Sequence, residues 1–513
     1  MFKVIEKSVK VGDKTITVET GRMARQAGGS VLISCEGTQI LVAATSAKEQ
    51  LSTASFFPLS VDYIEKFYSA GRIPGGYLKR ESRPSDREVL ISRLIDRPIR
   101  PLFPETYLVE TQVVATVISY DPNCSPAHLA VIGASCALHI SDIPFAGPVA
   151  AVRIGSKNGE FIINPIEKEL SSLDLDLVVA GTKDAILMVE AAVNFLTEEQ
   201  ILEAIELGHN QIKEICNLQE QLRKAVGKEK RQVPEAPDNK EIRTGLVKKF
   251  GKALREAFTI PGKKERMEAL NAIKSEAKAL YVAEGDSQAE KAFSYLFEMQ
   301  QYNTMRNTII KDNKRIDGRS TKDIRQIDCQ VGLLKRTHGS ALFTRGETQS
   351  LGVITLGASD DAQRTESIVN LMEERPFMLH YNMPGYSVGE VKRLGSPGRR
   401  EVGHGNLAER ALRAALPVKE KFPYSIRLVS EITESNGSSS MATVCSGTLA
   451  MLDAGVPLKE PIAGIAMGLI LEGKEYAILS DILGDEDNLG DMDFKVAGGK
   501  NGITALQMDI KIS

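Results

Sequence analysis

Two stretches, "GSVLISCEGTQILVAAT" at residues 29–45 and "GSALFTRGETQSLGVIT" at residues 339–355, decide the fold because they align without a gap. Further along the chain, two more pairs of segments match in the same order and at nearly the same spacing. These pairs are "IPFAGPVAAV" from Ile143 with "VPLKEPIAGI" from Val456, and "DLDLVVAGT" from Asp174 with "DMDFKVAGG" from Asp491. Ordered self-similarity of this kind indicates an internal repeat. We therefore expect two copies of one fold, called copy one and copy two below.

Each copy combines strand-like and helical segments. Residues 31–45 and 108–120 are rich in Val, Ile and Thr, which favours β-strands. Residues 128–140 and 441–455 each follow an Asn-containing loop and are dominated by small and apolar residues, which favours buried helices. The predicted fold class is α+β.

Helices are predicted to separate the two copies. Thr197 and Gln200 form a capping box that begins a long amphipathic helix, the closing helix of copy one. A Pro-containing linker follows, and residues 240–312 form a charged segment with two Gly-containing breaks, which predicts three helices. The expected domains are 1–228 for copy one, 229–312 for the helical linker domain and 313–513 for copy two.

Composition restricts the class of protein. With 42% apolar and 26% charged residues, the 513-residue chain has the composition of an ordinary globular protein. The six cysteines are scattered without a C-x-x-C pair, which argues against a zinc site or a redox motif. No stretch approaches the ~18 uninterrupted apolar residues of a membrane span. A net charge of −3 gives no global argument for an anionic partner. We expect a cytoplasmic protein without a membrane partner.

The two copies differ in the residues that carry chemistry. Asp493 has a counterpart in Asp176, but several polar residues of copy two face apolar or small residues in copy one. They are Asp487 facing Leu170, Lys495 facing Val178, Ser439 facing Pro126 and Ser440 facing Ala127. Copy one is therefore expected to be degenerate and non-catalytic, and the reactive site is expected in copy two.

The segment "SNGSSS" at residues 435–440 directly precedes a predicted helix. Gly437 and the three serines Ser438, Ser439 and Ser440 would then lie at the helix N-terminus. Free backbone N–H groups, hydroxyls and the helix dipole favour an oxyanion such as phosphate there. The alternative is that the serines only cap the helix.

The segment "GDEDNLGDMDFKVAGG" at residues 484–499 is rich in Asp and Glu but lacks His and Cys. Such hard oxygen ligands suit Mg²⁺ or Mn²⁺ rather than zinc. In a strand, Asp491, Asp493 and Lys495 would point to one face, which places an ammonium beside a carboxylate. The alternative is a solvated acidic turn with one structural carboxylate, as expected for Asp176 in copy one.

Two basic clusters lie in Gly/Pro-rich loops, at residues 71–88 and 395–405. The first suits a phosphodiester backbone and carries Tyr77 as a stacking ring. The second offers two adjacent guanidinium groups that could bind a phosphate bidentately. Basic loops are more often solvated surface, but two of them beside an anion loop and a metal site favour a polyanionic substrate. The basic residues are Arg72, Lys79, Arg80, Arg83 and Arg87 in the first cluster and Arg399, Arg400 and His404 in the second.

Several motifs together closely resemble bacterial polyribonucleotide nucleotidyltransferases, also called polynucleotide phosphorylases. The motifs are "LIDRPIRPLFP" at 94–104, "RIDGR" at 315–319, "EITESNGSSSMA" at 431–442 and "SDILGDEDNLGDMDFKVAG" at 480–498. The resemblance runs in order along the whole chain. It implies two ribonuclease PH-like domains, of the ribosomal protein S5 domain 2-like fold, joined by an all-helical domain. It also implies a homotrimeric ring with a central channel.

The resemblance further implies an enzyme that degrades single-stranded RNA from its 3′ end by phosphorolysis. Such an enzyme releases nucleoside diphosphates and runs in reverse as a template-independent RNA polymerase. Mg²⁺, with Mn²⁺ as a substitute, is the implied cofactor, and inorganic phosphate is the co-substrate. A role in mRNA turnover and partners in an RNA degradosome are implied as well.

The same resemblance assigns roles to individual residues of this chain. Asp487 and Asp493 would hold the metal ion, and Lys495 would stabilise the transition state. The other implied roles are phosphate binding by Ser438, Ser439 and Ser440, grip on the RNA 3′ end by Arg399, Arg400 and His404, and lining of the channel constriction by Lys79, Arg80 and Arg83. Tyr77-Leu78 stands where the family commonly has an aromatic pair, so we expect weaker base stacking at the constriction.

The segment "ALQMDIKIS" ends the chain without a counterpart of the closing helix of copy one. Related proteins continue with such a helix and with K-homology and OB-fold RNA-binding domains, so we expect a truncated form. Uncovered apolar surface would then weaken trimer assembly, and RNA affinity would fall. The rival function is a noncatalytic RNA-binding ring subunit. A hydrolytic exoribonuclease is a weaker alternative, because a hydrolase has no use for a phosphate loop.

Overall fold

The computed structural model describes residues 3–50 and 56–511. Copy one begins with a six-stranded sheet in the order β1-β2-β3-β4-β6-β5. Its strands alternate buried and half-buried residues, as expected for a sheet with one face on the core. The strands are β1 (Ile5–Val11), β2 (Lys14–Thr20), β3 (Gly29–Cys35), β4 (Thr38–Ser46), β5 (Leu59–Glu65) and β6 (Thr111–Ser119). The helices α1 (Asp86–Ile99) and α2 (Pro126–Ile140) pack against this sheet.

Copy one continues with four strands and the closing helix. These elements are β7 (Ala150–Lys157), β8 (Glu160–Ile163), β9 (Leu175–Gly181), β10 (Ile186–Leu196) and α3 (Glu198–Val226). The predicted capping box is confirmed, because the Thr197 hydroxyl accepts from the Gln200 N–H and the Gln200 side chain accepts from the Thr197 N–H. Helix α3 packs on β1, β7 and β9. The helix therefore covers one face of copy one.

The segment between the copies is helical, as predicted. It contains α4 (Lys240–Gly245), α5 (Gly251–Ala257), α6 (Lys263–Tyr281) and α7 (Ser287–Asp312). A π-helical turn over Leu246–Phe250 joins α4 to α5. The first predicted helix is therefore continuous from α4 to α5 and contains one wider turn. Asp286 caps α7 by accepting a hydrogen bond from the Ala289 N–H.

Copy two repeats the architecture of copy one, which confirms the duplication. Its strands are β11 (Ile327–Val331), β12 (Gly339–Arg345), β13 (Gln349–Gly357), β14 (Gln363–Thr365), β15 (Glu373–Arg375), β16 (Phe377–Asn382), β17 (Ser425–Glu434), β18 (Ala463–Glu472), β19 (Glu475–Ser480), β20 (Met492–Gly499) and β21 (Gly502–Ile510). Its helices are α8 (Arg399–Arg413), α9 (Ser439–Asp453) and α10 (Gly484–Leu489). The sheet order β11-β12-β13-β17-β16 matches β2-β3-β4-β6-β5, with the last pair parallel in both copies.

The copies are joined through one continuous sheet of eight strands, in the order β19-β18-β20-β21-β10-β9-β7-β8. Strands β10 and β21 pair antiparallel, with Met188 opposite Asp509 and Ala192 opposite Ala505. This pairing fixes the end of copy two beside copy one. The repeat did not predict it, because a repeat does not specify how two copies pair.

Helices α2 and α9 form the centre of each copy. Every residue of α2 is buried, and most of α9 is buried as well. Each helix therefore presents its N-terminus from a rigid core. Within the described residues, no helix is long and apolar enough to cross a membrane.

Candidate active site

The loop before α9 has a backbone conformation that requires glycine at position 437. Gly437 has φ +99°, and a Cβ atom at this position would lie 2.3 Å from the carbonyl oxygen of Ile482. A glycine is therefore required where the loop passes the segment that leads into α10. Ser438, the residue before the helix, is itself left-handed with φ +44°.

The serines do not act as ordinary caps. Ser438 makes no side-chain capping hydrogen bond to α9. The hydroxyls of Ser438 and Ser440 are buried without a partner among the described residues, and Ser440 is 0% exposed. Ser439 differs, because its hydroxyl lies 2.6 Å from that of Tyr381. Unpaired buried hydroxyls at the N-terminus of a fifteen-residue helix favour an oxyanion ligand over the capping alternative.

Asn436 ties this loop to helix α10. Its side-chain oxygen accepts from the Gly484 N–H at 3.2 Å, and its side-chain NH₂ donates to Glu347 at 2.7 Å. Its backbone N–H donates to the Thr348 hydroxyl. Asn436 therefore holds the loop at residues 435–440, called the serine loop below, against the acidic segment at residues 484–499.

Most carboxylates of the acidic segment are already paired with arginines. The arginines come from α6, from α7 and from the segment that follows α7. The pairs are Arg266 with Asp485 at 2.9 Å, Arg315 with Glu486 at 2.9 Å and Arg306 with Asp491 at 2.7 Å. Glu486 and Asp491 are almost completely buried. The solvated acidic turn is therefore wrong as a description of these residues, and Asp491 is committed to Arg306.

Asp487 and Asp493 have lysines as partners instead. Asp487 lies in α10, and Asp493 is a buried residue of β20. Lys495 contacts Asp493 from the same strand face, as the strand periodicity predicted. The ammonium of Lys511 lies 2.8 Å from Asp487 Oδ1 and 3.6 Å from Asp493 Oδ1. Two carboxylates thus converge on one cationic group.

The charges of this cluster stabilise one another. Burial alone would raise the pKa of Asp493, but the ammonium groups of Lys495 and Lys511 lower it below its usual range. Burial would likewise lower the pKa of Lys495, but Asp493 and Asp487 raise it. Both groups are therefore charged at neutral pH.

The donor set fits a magnesium-type cation. Among the described residues, no group of three or more His, Cys, Asp or Glu side chains could enclose a metal ion. Mg²⁺ commonly binds through one or two carboxylates and completes its shell with water and substrate phosphates. Asp487 and Asp493 offer two carboxylates whose separation is bridged by a single ammonium. Zinc, which prefers His and Cys, does not fit.

The second basic cluster is helical, so its prediction as a loop is wrong. Helix α8 begins at Arg399, because Glu401 accepts from the Gly398 N–H and caps the first turn. Arg399 donates to the Val61 carbonyl at 2.6 Å and pairs with Asp62 of β5. Arg399 therefore contributes to contact between the copies.

Arg400 and His404 of α8 lie near Tyr381, the residue that contacts Ser439. Arg400 has no hydrogen-bond or ion-pair partner among the described residues. His404 Nδ1 lies 3.3 Å from the Tyr381 hydroxyl, which in turn contacts Ser439. Burial, and then the charges of Arg400 and Lys495, lower the pKa of His404 well below its usual value. His404 is therefore neutral at pH 7.

The structure adds two residues that the sequence did not indicate. Arg93 of α1 comes from copy one, packs against Gly403 and also lowers the pKa of His404. It has no hydrogen-bond or ion-pair partner in the described part of the chain. Lys511 lies beyond the repeated segments, so comparison of the copies could not reveal it. For Arg93, only tertiary packing places the side chain at the site of copy two.

The first basic cluster lies apart from these residues. Lys79, Arg80 and Arg83 are on an exposed loop, and among the described residues no hydrogen bond or ion pair joins them to the serine loop or the acidic segment. Tyr77 and Leu78 are 98% and 74% exposed. The role of this loop in a channel stays a prediction.

The matching positions of copy one are filled by ion pairs. Asp176 makes a bidentate pair with Arg153 at 2.6 and 2.7 Å, which is the structural role expected for it. Arg87 is held between Glu65 at 2.8 Å and Glu167 at 2.6 Å. Asp176 and Arg87 are therefore both held by ion pairs within copy one.

Comparisons with known proteins assign most of the chain to known families. Residues 12–144 and 323–457 match the 3′ exoribonuclease family, domain 1, and residues 147–211 match domain 2 of that family. Residues 241–320 match the polyribonucleotide nucleotidyltransferase RNA binding domain.

Curated relatives are similar along the whole chain. The polyribonucleotide nucleotidyltransferase of Pelagibacter ubique (strain HTCC1062) is 54% identical over 100% of this chain and 74% of its own length. That of Geotalea uraniireducens (strain Rf4) is 54% identical over 98% of this chain and 72% of its own length. That of Rhodospirillum centenum (strain ATCC 51521 / SW) is 52% identical over 100% of this chain and 72% of its own length. The chain belongs to the polyribonucleotide nucleotidyltransferase family.

Proposed function

We propose that this enzyme degrades single-stranded RNA from the 3′ end by phosphorolysis and releases nucleoside diphosphates. The reverse reaction is template-independent RNA synthesis. The observation that carries the proposal is the joining of the serine loop to α10 through Asn436 and Gly484. This contact supports an oxyanion-binding helix terminus close to α10, the helix that carries Asp487.

Inorganic phosphate is the attacking group in this reaction. The N-terminus of α9 and the hydroxyls of Ser438, Ser439 and Ser440 bind it, because these donors favour a dianion. Attack forms a bond from a phosphate oxygen to the last phosphodiester phosphorus and breaks the bond to the 3′ oxygen of the preceding nucleotide. The product is a nucleoside diphosphate and an RNA shorter by one residue.

Charge develops on the nonbridging oxygens and on the leaving 3′ oxygen. Lys495, buried and held in its charged form, neutralises part of that charge as the catalytic cation. Asp487 and Asp493 hold Mg²⁺ or Mn²⁺, which when bound supplies Lewis-acid polarisation of a phosphoryl oxygen. Asp493 also orients Lys495 through their direct contact.

The RNA 3′ end is held from both copies. Arg400 and neutral His404 contact the terminal nucleotides, together with Arg93 of copy one, which packs against Gly403. Arg399 binds RNA only with the part of its fork that Asp62 and Val61 leave free. Lys79, Arg80 and Arg83 form the constriction of a channel in a homotrimer, where Tyr77-Leu78 offers a single stacking ring.

The proposed division of labour follows the domains 1–228, 229–312 and 313–513. Copy one is non-catalytic, since its Asp176 and Arg87 are held in ion pairs within the copy, and copy two is catalytic. The cellular role is cytoplasmic mRNA turnover, with RNA degradosome proteins as partners.

The test uses poly(A) with Mg²⁺, with and without inorganic phosphate. ADP that forms only with phosphate supports the proposal, whereas AMP without phosphate indicates hydrolysis. No turnover in either condition indicates the noncatalytic ring subunit. Asp493→Asn should abolish turnover while RNA retention on a filter persists. Unchanged turnover in that variant would contradict the metal assignment.

A further inference from the structure

The backbone of Lys511 is held in place beside the two proposed metal ligands. Its backbone N–H donates to the Asp491 carbonyl at 2.8 Å, just beyond β21. Its ammonium contacts both the carbonyl and the carboxylate of Asp487 and reaches Asp493 at 3.6 Å. The residue therefore bridges α10 and β20.

The two lysines of the cluster differ in their freedom to move. The Lys495 side chain is 12% exposed, whereas the Lys511 side chain is 34% exposed. Asp487 is equally exposed at 34%. A lysine is a flexible point charge that can move into water when a stronger cation takes its place. Lys511 is therefore the better placed of the two lysines to move away from the carboxylates.

Other charges near the cluster are already committed. Asp509, opposite Asp493 in the β20–β21 pairing, is bound by Arg97 at 2.7 Å and by the Gln507 side chain at 3.2 Å. Asp491 is bound by Arg306. Neither carboxylate is therefore free to hold Lys511.

We propose that Lys511 is an internal counter-ion that competes with the divalent cation for Asp487 and Asp493. This inference rests on the proposed function, in which those two residues hold the metal. Loading of the metal then requires that the Lys511 ammonium moves aside. Lys511 sets the free Mg²⁺ concentration at which the site fills, and it keeps the two carboxylates from repelling each other before it fills.

The test is a Mn²⁺ titration of the full chain without RNA or phosphate, with free Mn²⁺ measured by electron paramagnetic resonance. Lys511→Met removes one positive charge a few ångströms from the ion, so the Kd for Mn²⁺ should fall at least about tenfold. Lys511→Arg retains the charge and should stay close to the native protein. Lys500→Met is the matched control, because Lys500 lies in the turn between β20 and β21 and its side chain forms no ion pair with a carboxylate of the described residues.

A second readout guards against a folding defect. Without metal, Lys511→Met should melt at a lower temperature than the native chain, since the carboxylates then repel each other. With Mn²⁺ its melting temperature should rise by more than that of the native chain. An unchanged or weaker Mn²⁺ affinity in a folded Lys511→Met protein would overturn the inference.

Asp487→Asn separates this inference from the proposed function. If Asp487→Asn weakens Mn²⁺ binding but Lys511→Met does not strengthen it, only the role of Lys511 is wrong. If Asp487→Asn leaves Mn²⁺ binding unchanged, the metal site itself is wrong, and both proposals fail.

Discussion

Replacing Arg266 with Met tests whether the helical linker domain holds α10, the helix that carries Asp487, in place. Arg266 is completely buried, and its Nε and Nη2 donate to Asp485 at 3.1 and 2.9 Å. Its Nη1 donates to the carbonyls of Ile260 and Pro261 at 2.9 and 3.0 Å. Asp485 is two residues before Asp487 in α10. Loss of this side chain should loosen the helix that carries a proposed metal ligand.

The expected loss follows from these contacts. Truncating one partner of a fully buried ion pair costs ~3–5 kcal/mol. The side chain of Asp485 is 34% exposed and can be rehydrated, so we expect ~2 kcal/mol for this pair. The two part-buried carbonyls of Ile260 and Pro261 lose their donor, which adds ~1 kcal/mol each. Arg266→Met should therefore lower the free energy of unfolding by about 4 kcal/mol.

Urea unfolding and Mn²⁺ titration measure the two effects. The matched control is Arg243→Met, because Arg243 pairs with Asp238 in the same helical segment but both side chains are more than half exposed. That control should lose less than about 1 kcal/mol. Arg266→Lys should recover part of the stability and of the Mn²⁺ affinity. A loss in Arg266→Met no larger than in Arg243→Met would refute the reasoning.

Three further predictions follow from single side chains. Gly437→Ala places a methyl group 2.3 Å from the Ile482 carbonyl oxygen. The serine loop must then shift, so the KM for phosphate should rise about tenfold or more. A matching rise in the KM for RNA would contradict a specific role of the loop in phosphate binding. Ser440→Ala removes a hydroxyl without a partner among the described residues, so it should weaken phosphate binding and leave thermal stability unchanged. The control Ser446→Ala loses a 2.7 Å hydrogen bond and should lower the free energy of unfolding by ~1 kcal/mol. Burial lowers the pKa of His128 to about 3. Because an unfolded histidine titrates near ~6.5, stability should fall by up to ~1.4 kcal/mol per pH unit below that value. His128→Leu should flatten the acid limb of the urea stability profile, and an unchanged limb would show that His128 is not the cause.

The duplication and the contact of Lys495 with Asp493 could be predicted from the sequence. The repeat predicted two copies of one fold, and strand and helix patterns within it are confirmed by the hairpins β3–β4 and β12–β13 and by α2 and α9. Lys495 beside Asp493 followed from the two-residue period of a strand. These features depend on local patterns and on comparison of two copies in one chain.

The remaining features depend on contacts between distant segments. Nothing local in β10 or β21 states that they pair, and nothing in the acidic segment states that arginines more than a hundred residues earlier neutralise it. The start of α8 is rich in glycine and therefore resembled a loop. Its cap is the side chain of Glu401, which accepts from the N–H of Gly398 three residues earlier. Arg93 and Lys511 reach the site only through the packing of one copy against the other and through the β20–β21 pairing.

The most direct test of the central claim is the fate of radiolabelled inorganic phosphate during poly(A) breakdown. If phosphate held by the serine loop attacks the terminal phosphodiester, the label must appear in the β-phosphate of ADP. The label should disappear from the product in Asp493→Asn. Unlabelled AMP as the product of the native chain would contradict the account.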